Sequence, residues 1–580
     1  MRLDPSMQRS LVELAEVDLV VLGSGAGGLT AALTATLEGL TVAVLEISPL
    51  FGGTTARSSG TVWIPNNQLM RAAGFAPDAD AAKTYLSGLV AEHAPSEGWL
   101  AFLEQAPQMQ ADLETRAGIA FRPYLAAPDY HSALEGAAPG GRAVEPAAFD
   151  GRSLGGWFEK LAEPMRELTV LGGMMLTRAE AQRLIWAERS PVAMLEGLRL
   201  LARHVRDRGT RYRRGTRLVM GNALAARLLH GVLTRGGLAF THVHVHQIRM
   251  DAGRAAGVSG VHGGRPFSLR ARAGVVLAGG GFPADPEMRS RYLPPMTPPH
   301  TPAGPFSRGS TIRLGVAAGG CIGPDAGSNA FWFPSSLWVR PGGGIAVYPH
   351  IALDRAKPGS IIVDQNGERF ANEALSYHDF CSAMFRHGAT ACPAWMIAGG
   401  DFIRRYGLGV IRPRTPSLGA YLRSGYLKTA EGPDALAQAL GMPPGSLGRS
   451  IAQFNDAARQ GRDADFRRGE TAYEVSNGDA SRSPDNPCLG EVATGRLYAV
   501  ALWPTPLATA RGLLCGGAGE VLDRSGRPIP GLYAAGNDMQ SVFGGQYPGA
   551  GAQIGPAMTF GWAAARHAAR HMQDIDGRVT

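Results

Sequence analysis

The stretch VDLVVLGSGAGGLTAALTATLEGLTVAVLE, residues 17–46, has the pattern of a strand, a glycine-rich turn, a helix and a second strand. After the first apolar strand, Gly23, Gly25 and Gly28 follow at the spacing GxGxxG. Glycines at these positions allow a tight turn, the close approach of a pyrophosphate and close contact between helix and strand. Glu46 ends the second strand, where an acidic side chain can bind a ribose hydroxyl. The stretch therefore predicts a dinucleotide-binding unit near the start of the chain.

A second part of the same domain is predicted near the other end of the chain. Residues 526–538, GRPIPGLYAAGND, have the pattern of a turn and then a strand that ends in Gly-Asn-Asp. Between the two ends, residues 274–282 form another buried strand that runs into glycines, and residues 242–261 are predicted to be a small antiparallel meander. A dinucleotide domain assembled from both chain ends, with a long insertion between them, is typical of flavoproteins. The sequence therefore predicts FAD as the cofactor.

The composition is that of a large globular protein. A chain of 580 residues is too long for one compact core, so at least two domains are expected. The 78 glycines are well above the usual share of about 7% and indicate many turns or cofactor loops. The net charge of +8 is small for this length, and no nucleic-acid recognition motif accompanies it. The basic run RHVRDRGTRYRRGTR, residues 203–217, is interpreted as a solvated helix end, with phosphate binding as the alternative.

The sequence predicts neither a metal site nor a disulfide framework. Its five cysteines form no CxxC pair, which indicates a reducing compartment. His242, His244 and His246 alternate along a predicted strand and would share one face, which is interpreted as a solvent-facing side. The sequence has no apolar leader and no run of about 18 apolar residues, so a cytoplasmic protein is expected.

Three stretches together resemble a known superfamily. The opening glycine motif, FGGTTARSSGTVWIP (residues 51–65) and GERFANEALSYHDF (residues 367–380) are similar to the flavoproteins of the 3-ketosteroid dehydrogenase and fumarate reductase superfamily. The resemblance covers essentially the whole chain and is strongest to the 3-ketosteroid Δ1-dehydrogenases. It implies an α/β protein whose Rossmann-like FAD-binding domain takes residues 1–287 and 491–580. An inserted α+β catalytic domain, residues 288–490, is expected to cap the isoalloxazine ring.

The resemblance also implies how FAD is held. The segment GGTTARSSG has no histidine at the position where related proteins attach flavin covalently, so non-covalent binding is expected. Ser58, Ser59 and Gly60 are expected to line the N5 face of the flavin. The predicted cofactor-binding residues are Gly23, Gly25, Ala26, Gly28, Glu46, Gly53, Thr54, Ser58, Ser59, Gly60, Gly279, Gly536, Asn537 and Ile554.

The glycine-rich loop GGQYPGAGAQIGPAMTFG, residues 544–561, contains a single tyrosine, Tyr547. A tyrosine O–H and a glycine N–H are suitable donors for a ketone oxygen on which negative charge develops. The resemblance implies that the Tyr547 hydroxyl and the Gly551 N–H bind the C3 carbonyl oxygen of a steroid. Pro548 fixes φ and so stiffens the turn that carries Tyr547. The alternative is that Tyr547 is only an aromatic lid over the flavin.

The base is expected to be a second tyrosine. By resemblance, Tyr377 takes a proton from C2 of the substrate while a hydride passes from C1 to FAD N5, and Tyr130 assists. A tyrosine pKa of about 10 requires a neighbour that stabilises the phenolate. Tyr124 is an alternative to Tyr130 as the assisting residue, and His378 and His131 are alternative bases.

The predicted activity is therefore FAD-dependent 1,2-dehydrogenation of a 3-ketosteroid. The alternatives are a 3-ketosteroid Δ4-dehydrogenase and a fumarate-reductase-like enzyme that acts on a small unsaturated acid. A dicarboxylate substrate favours bidentate arginine, and Arg511 is the one basic residue near the C-terminal loop in sequence. The expected partners are a steroid and an electron acceptor, either a quinone or a carrier. Contact with a membrane surface is left open, no nucleic-acid partner is expected, and the oligomeric state is not predicted.

Overall fold

The structure is a computed structural model that describes residues 3–184, 190–210, 212–351 and 354–577. The strands of this part of the chain are β1 (Glu16–Leu22), β2 (Val42–Leu45), β3 (Val62–Trp63), β4 (Phe121–Pro123), β5 (Ala143–Pro146), β6 (Phe149–Asp150), β7 (Thr169–Val170), β8 (Met174–Met175), β9 (Arg217–Leu218), β10 (Leu238–Phe240), β11 (Val243–Asp251), β12 (Arg254–His262), β13 (Arg265–Leu277), β14 (Ala330–Val339), β15 (Ile345–Pro349), β16 (Ser360–Val363), β17 (Ala394–Gly399), β18 (Lys428–Glu431), β19 (Arg496–Thr509), β20 (Glu520–Leu522) and β21 (Pro528–Ala534). The α-helices are α1 (Ala26–Leu37), α2 (Gln68–Ala72), α3 (Ala79–Val90), α4 (Ser96–Ala117), α5 (Arg178–Leu184), α6 (Pro191–Arg208), α7 (Met220–Thr234), α8 (Pro286–Tyr292), α9 (Ser310–Ala317), α10 (Tyr377–His387), α11 (Gly400–Tyr406), α12 (Gly419–Arg423), α13 (Gly432–Leu440), α14 (Ser446–Gln460), α15 (Ala472–Asn477) and α16 (Ile554–Gly577).

The first sheet joins the two ends of the chain. Its strands run in the order β10–β2–β1–β13, and β21 pairs in parallel with the last part of β13. Strands β1 and β2 are near-continuous runs of valine and leucine because parallel strands are buried on both faces. Helix α16 packs against α1, so the C-terminal helix completes the N-terminal unit. This confirms the prediction of one domain built from both chain ends.

The predicted meander is also confirmed. Strands β11, β12 and β13 form an antiparallel ribbon, and Ala252 and Gly253 adopt positive φ at the first turn. On β11, His244 and His246 are exposed, whereas Val243 is buried and Val245 is partly buried, which is the expected alternation. His242 is exposed and lies directly before β11.

In the described part of the chain, the second sheet has six strands. Its main order is β15–β14–β19–β17–β16, with antiparallel pairing throughout, and β18 pairs with β19. Strand β19 lies beyond residue 490, so the sequence-based limits of 288–490 leave a central strand of this sheet in the FAD-binding part. The alternating apolar pattern of β19 fits either sheet, and only its long-range pairing decides between them.

Candidate active site

The three glycines of the opening motif differ in what a Cβ at each position would contact. Gly23 has a φ of +106°, and a Cβ there would lie 2.2 Å from the Ala278 carbonyl oxygen. A Cβ on Gly28 would lie 2.1 Å from the Gly23 carbonyl oxygen. At Gly25 the nearest atom to such a Cβ is the Thr55 hydroxyl at 3.6 Å, which is ordinary contact. The protein itself leaves space at Gly25, directly before the N-terminus of α1, and this space suits a pyrophosphate.

Glu46 stands at the end of β2, as predicted for a residue that binds ribose. Its carboxylate accepts hydrogen bonds from the Ser24 N–H (2.9 Å), the Ser24 hydroxyl (2.6 Å) and the Ser48 N–H (2.9 Å). Burial raises the pKa of Glu46 above its ordinary value, while these donors favour the ionised form. Each carboxylate oxygen has two lone pairs, so the group retains capacity to accept a ribose hydroxyl.

The C-terminal strand reaches the same place through Asp538. Its carboxylate accepts hydrogen bonds from the Gly279 N–H (2.6 Å) and the Gly281 N–H (2.8 Å), which ties the end of β13 to the turn after β21. Asp538 is fully buried and is not part of the cavity wall, so it holds the two strand ends together. The sequence analysis noted the Gly-Asn-Asp ending of this strand but did not count Asp538 among the cofactor-binding residues.

One continuous cavity of about 980 Å³ connects the glycine motif with the tyrosines. This volume is at the upper end of the range of about 300–1,000 Å³ for ligand pockets, and the cavity is long enough to extend from α1 to the second sheet. The predicted residues on its wall are Gly23, Gly25, Ala26, Glu46, Gly53, Thr54, Ser58, Ser59, Gly279, Gly536, Asn537 and Ile554, together with Tyr130, Tyr377, Tyr547 and Gly551.

Two predicted cofactor residues, Gly28 and Gly60, do not lie on this wall. Gly28 instead allows α1 to approach the turn at Gly23. Gly60 has a φ of +70°, and a Cβ there would lie 2.4 Å from the Gly221 nitrogen, at the start of α7. Both glycines therefore support the cavity wall through backbone packing, and neither is placed to contact a ligand.

Three tyrosines meet at one end of the cavity. The Tyr130 hydroxyl donates to the Tyr377 hydroxyl at 2.9 Å. The Tyr547 ring stacks on Tyr130 with 5.5 Å between ring centroids, and it is perpendicular to Tyr377 at 5.2 Å. Gln553 Nε2 donates to the Tyr547 hydroxyl at 3.1 Å. The structure thus brings together the three tyrosines that the sequence analysis selected, from three distant segments.

Burial raises the pKa of all three phenols. The pKa values of Tyr377 and Tyr130 are well above the ordinary value, first because of desolvation and then because an ionised neighbouring tyrosine would repel a second negative charge. Desolvation likewise raises the pKa of Tyr547. A phenolate in this cluster therefore requires a donor, and the Tyr130 O–H is placed to supply one to the Tyr377 oxygen.

The loop that carries Tyr547 is fixed through the Pro548 carbonyl. This oxygen accepts from the Tyr85 hydroxyl at 2.6 Å and from the Tyr130 N–H at 3.0 Å. Gly551, four residues further on, has a φ of +94°, and a Cβ there would lie 2.4 Å from the Thr61 carbonyl oxygen. The Tyr547 and Tyr130 segments are therefore joined by backbone contacts as well as by their rings.

A buried network of ion pairs and hydrogen bonds holds Asp129, the residue directly before Tyr130. Asp129 accepts from Trp63 Nε1 (2.9 Å) and from Arg142 (2.5 Å), and Arg142 also binds Asp78 (2.8 Å). All four side chains are buried. The sequence analysis missed this network because its members lie in separate segments. The position of Asp129 directly before Tyr130 was the one available signal.

The alternative bases are not on the cavity wall. His378 is buried, burial lowers its pKa to about 4, and its ring contacts Tyr547 from outside the cavity at 5.9 Å. His131 Nε2 lies 3.6 Å from the Asp379 carboxylate. Tyr124 does line the cavity, but Tyr130 is the tyrosine whose hydroxyl contacts Tyr377.

Arg511 is also away from the cavity wall. Its Nε donates to the Gly323 carbonyl oxygen at 3.0 Å, it pairs with Asp325, and its guanidinium lies over the Tyr292 ring. The arginine that favoured a dicarboxylate substrate therefore has a structural role in the loop before β14.

We expect Gly25→Val to purify as a folded protein without yellow colour. The protein leaves room for a Cβ at Gly25, so the clash of the valine is with the pyrophosphate. Absorbance of the purified protein near the flavin bands gives the flavin content, and circular dichroism gives the fold. Gly88→Val is the matched control, because a Cβ at Gly88 meets no atom within 4 Å. Stoichiometric flavin in Gly25→Val would contradict the assignment of this motif.

Comparisons with known proteins agree with this geometry. The family model described as "FAD binding domain" matches residues 18–554. The chain is 36% identical to the 3-oxosteroid 1-dehydrogenase of Mycobacterium tuberculosis, covering 96% of this chain and 98% of that protein. It is 35% identical to the 4-oxocyclohex-2-ene-1-carboxylate 5-dehydrogenase of Sinomonas cyclohexanicum, covering 95% and 94%.

A solved structure extends the similarity to the fold. The 3-ketosteroid Δ1-dehydrogenase of Sterolibacterium denitrificans, crystallised with 1,4-androstadiene-3,17-dione, is 35% identical and has a TM-score of 0.88. The match covers 96% of this chain and all of that one. These full-length matches agree with the space at Gly25 and with the continuous cavity. The chain belongs to the FAD-binding domain family, and within it to the FAD-dependent dehydrogenases of the 3-ketosteroid Δ1-dehydrogenase family.

Proposed function

We propose that this protein oxidises the C1–C2 bond of a 3-ketosteroid. The observation that carries the proposal is the cluster of Tyr130, Tyr377 and Tyr547 at the end of the cavity. The other rings that contact these phenols are largely aromatic hydrocarbon: Phe331 packs on Tyr547 and Phe333 on Tyr377. Such surroundings suit a neutral, apolar ketone more than a small acid.

In the proposed mechanism, the Tyr547 O–H and the Gly551 N–H hold the C3 ketone oxygen. They stabilise the negative charge that this oxygen gains when C2 loses a proton. Tyr377 takes that proton, and the Tyr130 O–H stabilises the phenolate form of Tyr377 before transfer. The bound FAD supplies the hydride-accepting chemistry of its isoalloxazine ring. The glycine motif, Glu46 and the turn at residues 536–537 would hold its pyrophosphate and sugar parts.

A second candidate is the oxidation of an oxocyclohexene carboxylate. The sequence identity to the Sinomonas enzyme, 35%, is within one percentage point of the 36% identity to the Mycobacterium tuberculosis steroid enzyme. One observation favours this substrate: Arg57 lines the cavity, and its buried Nε has no hydrogen-bond partner among the described residues. Burial lowers the pKa of Arg57, and an anionic ligand would relieve this cost.

Anaerobic mixing with each substrate separates the two candidates. We expect androst-4-ene-3,17-dione to bleach the flavin and to yield the 1,4-diene product, and 4-oxocyclohex-2-ene-1-carboxylate to leave the flavin oxidised. Arg57→Met should bleach with the steroid as the wild type does. Bleaching by the carboxylate alone, lost in Arg57→Met, would establish the second candidate instead. A product unsaturated only at C4 from a saturated 3-ketosteroid would indicate the Δ4 reaction. Reoxidation of dithionite-reduced flavin by fumarate, with no bleaching of the oxidised flavin by either ketone, would exclude both candidates.

A further inference from the structure

The Gln553 side chain lies on the cavity wall next to the hydroxyl of Tyr547. Its Nε2 donates to this hydroxyl at 3.1 Å. Tyr547 is the side-chain partner that the described part of the chain gives to this amide. The sequence analysis did not select Gln553, although it comes from the same glycine-rich loop as Tyr547. The loop therefore supplies both the proposed ketone-binding hydroxyl and a donor to the oxygen of that hydroxyl.

The backbone between the two side chains is held by hydrogen bonds. The Ala552 N–H donates to the Gly549 carbonyl oxygen at 3.1 Å, which closes the turn after Tyr547. The Gln553 carbonyl oxygen accepts from the Ala557 N–H at 3.2 Å and so joins the first turn of α16. Because the backbone is bonded from this turn into the helix, the amide of Gln553 has a fixed position relative to Tyr547.

Few polar groups surround the Tyr547 hydroxyl. The rings of Tyr130, Phe331 and Tyr377 pack on the Tyr547 ring, with centroids 5.2–5.5 Å away. Within the described residues, the hydroxyl has two side-chain hydrogen-bond partners, Tyr377 and Gln553. Burial raises the pKa of Tyr547, whereas hydrogen bonds from these two groups lower it. Tyr377 is the proposed base and changes its protonation during the reaction, so Gln553 is the donor that stays constant.

A donor at a phenol oxygen affects where the phenol's own proton points. A tyrosine hydroxyl has one proton, and its lone pairs accept hydrogen bonds. The proton lies near the ring plane on either side of the oxygen, and an N–H on one side repels it toward the other. Accepting a hydrogen bond also makes the O–H a stronger donor, because hydrogen-bonded groups polarise one another. The Gln553 amide can therefore both orient and strengthen the Tyr547 donor.

We propose that Gln553 is a positioning residue that directs the Tyr547 proton toward the substrate ketone. This inference deepens the proposed function and rests on it, because it requires Tyr547 to donate to the ketone oxygen. Gln553 exchanges no proton and acts through Tyr547. With the proton oriented before the ketone binds, the donor needs no reorganisation when negative charge develops on the ketone oxygen.

Single-turnover reduction of the bound flavin by androst-4-ene-3,17-dione tests the proposal. Gln553→Glu keeps the shape of the side chain but replaces the donor with a carboxylate, which accepts the Tyr547 proton. We expect its rate to fall by about 100-fold, as for Tyr547→Phe, because the ketone loses the same donor. Gln553→Met leaves the proton without a directing donor, so its rate should fall by about tenfold. Flavin content and melting temperature should stay at the wild-type values in both variants.

The carbonyl stretch of the bound product gives a readout that does not depend on turnover. The proposed product, 1,4-androstadiene-3,17-dione labelled with ¹³C at C3, binds the oxidised holoenzyme without reacting. Isotope-edited infrared spectra should place the C3 stretch at a lower frequency in the wild type than in solution, because a hydrogen bond weakens the C=O bond. In Gln553→Glu the frequency should return toward the solution value. An unchanged frequency in this variant would show that Gln553 only packs in the loop and would overturn the proposal.

A double-variant cycle separates orientation of the proton from an effect of charge on the flavin. In the Tyr547→Phe background there is no proton to direct, so adding Gln553→Glu should lower the rate less than twofold further. A further loss of about 100-fold in that background would overturn the proposal, as would a wild-type rate of Gln553→Glu alone. If Tyr547→Phe itself has wild-type turnover, the role of Tyr547 in the proposed function fails, and this inference fails with it.

Gln546→Glu is the matched control. Gln546 directly precedes Tyr547 in the same loop, is half-buried and is not part of the cavity wall. The substitution introduces the same charge without changing a group at the Tyr547 hydroxyl. We expect flavin reduction within twofold of the wild-type rate and an unchanged C3 stretch. A loss as large as that of Gln553→Glu would assign the effect to charge in the loop and would overturn the proposal.

Discussion

Tyr377→Phe should lower steroid turnover by about 10³-fold, within the range of about 10²–10⁴ for loss of a general base. The substitution removes only the hydroxyl that the Tyr130 O–H contacts at 2.9 Å. The ring keeps its packing on Phe333, with 4.4 Å between centroids, so flavin content and melting temperature should not change. The ketone can still be held by Tyr547, so the Kd for steroid should stay near the wild-type value. Single-turnover flavin reduction measures the chemical step.

The pH dependence separates a base from a structural tyrosine. Burial raises the pKa of Tyr377, so at neutral pH the phenol is protonated and the phenolate is the minor form. Below that pKa the phenolate fraction increases about tenfold per pH unit, so the wild-type rate should rise from neutral to alkaline pH. The residual rate of Tyr377→Phe should lack this rise. A variant that retains more than a tenth of the wild-type rate, with the same pH profile, would contradict the role of base.

Tyr547→Phe should lower turnover by about 100-fold or more, which corresponds to about 3 kcal/mol of transition-state stabilisation. The Tyr547 oxygen accepts from Gln553, which leaves its own proton for another acceptor such as a ketone oxygen. That oxygen gains enolate charge as C2 is deprotonated, so the hydroxyl matters more in the transition state than in the ground state. Unlike Tyr377→Phe, this variant should also bind steroid more weakly. Flavin reduction rates and equilibrium titration measure the two effects.

Tyr406→Phe is the matched control for both substitutions. Tyr406 lies on α11, away from the cavity wall, and its hydroxyl donates to Asp479 at 2.7 Å. Loss of this hydroxyl should leave turnover within twofold of the wild type, since no group that faces the cavity changes. If Tyr547→Phe keeps more than half of wild-type turnover, Tyr547 is a lid over the flavin and not an electrophilic donor.

The dinucleotide unit was predictable because its signals are local. The unit shows a run of valines and leucines, then glycines at fixed spacing, then a helix-forming segment. Each of these determines its own local structure through backbone sterics and the burial of neighbouring residues. Gly28 is required by a contact within the motif itself, with the Gly23 carbonyl oxygen, whereas Gly23 is required by its positive φ and by the Ala278 carbonyl directly after β13. Glu46 directly follows β2. The pairing of both chain ends in one sheet was also predictable, since the flavoprotein pattern appears in both.

The chemistry of the site was only partly predictable. The family resemblance selected Tyr377, Tyr130 and Tyr547, but the hydrogen bond between Tyr130 and Tyr377 joins residues 247 positions apart. Such contacts depend on how the two sheets pack, and no local pattern encodes them. The same holds for Asp129 and Arg142, whose burial and pairing exist only after the segments assemble.

The sequence by itself thus determined the cofactor-binding unit and, through the resemblance, indicated the tyrosines that we propose for the reaction. The tertiary structure alone decided which sheet takes β19 and which face of α6 meets solvent. An amphipathic helix has the same periodicity whether its apolar face points into the core or outward. The direction is set by what the rest of the chain packs against it, here the face of α6 that contains Ala193, His204 and Asp207. Local backbone conformation depends on neighbouring residues, whereas the orientation of a helix or strand depends on contacts with residues far away in the sequence.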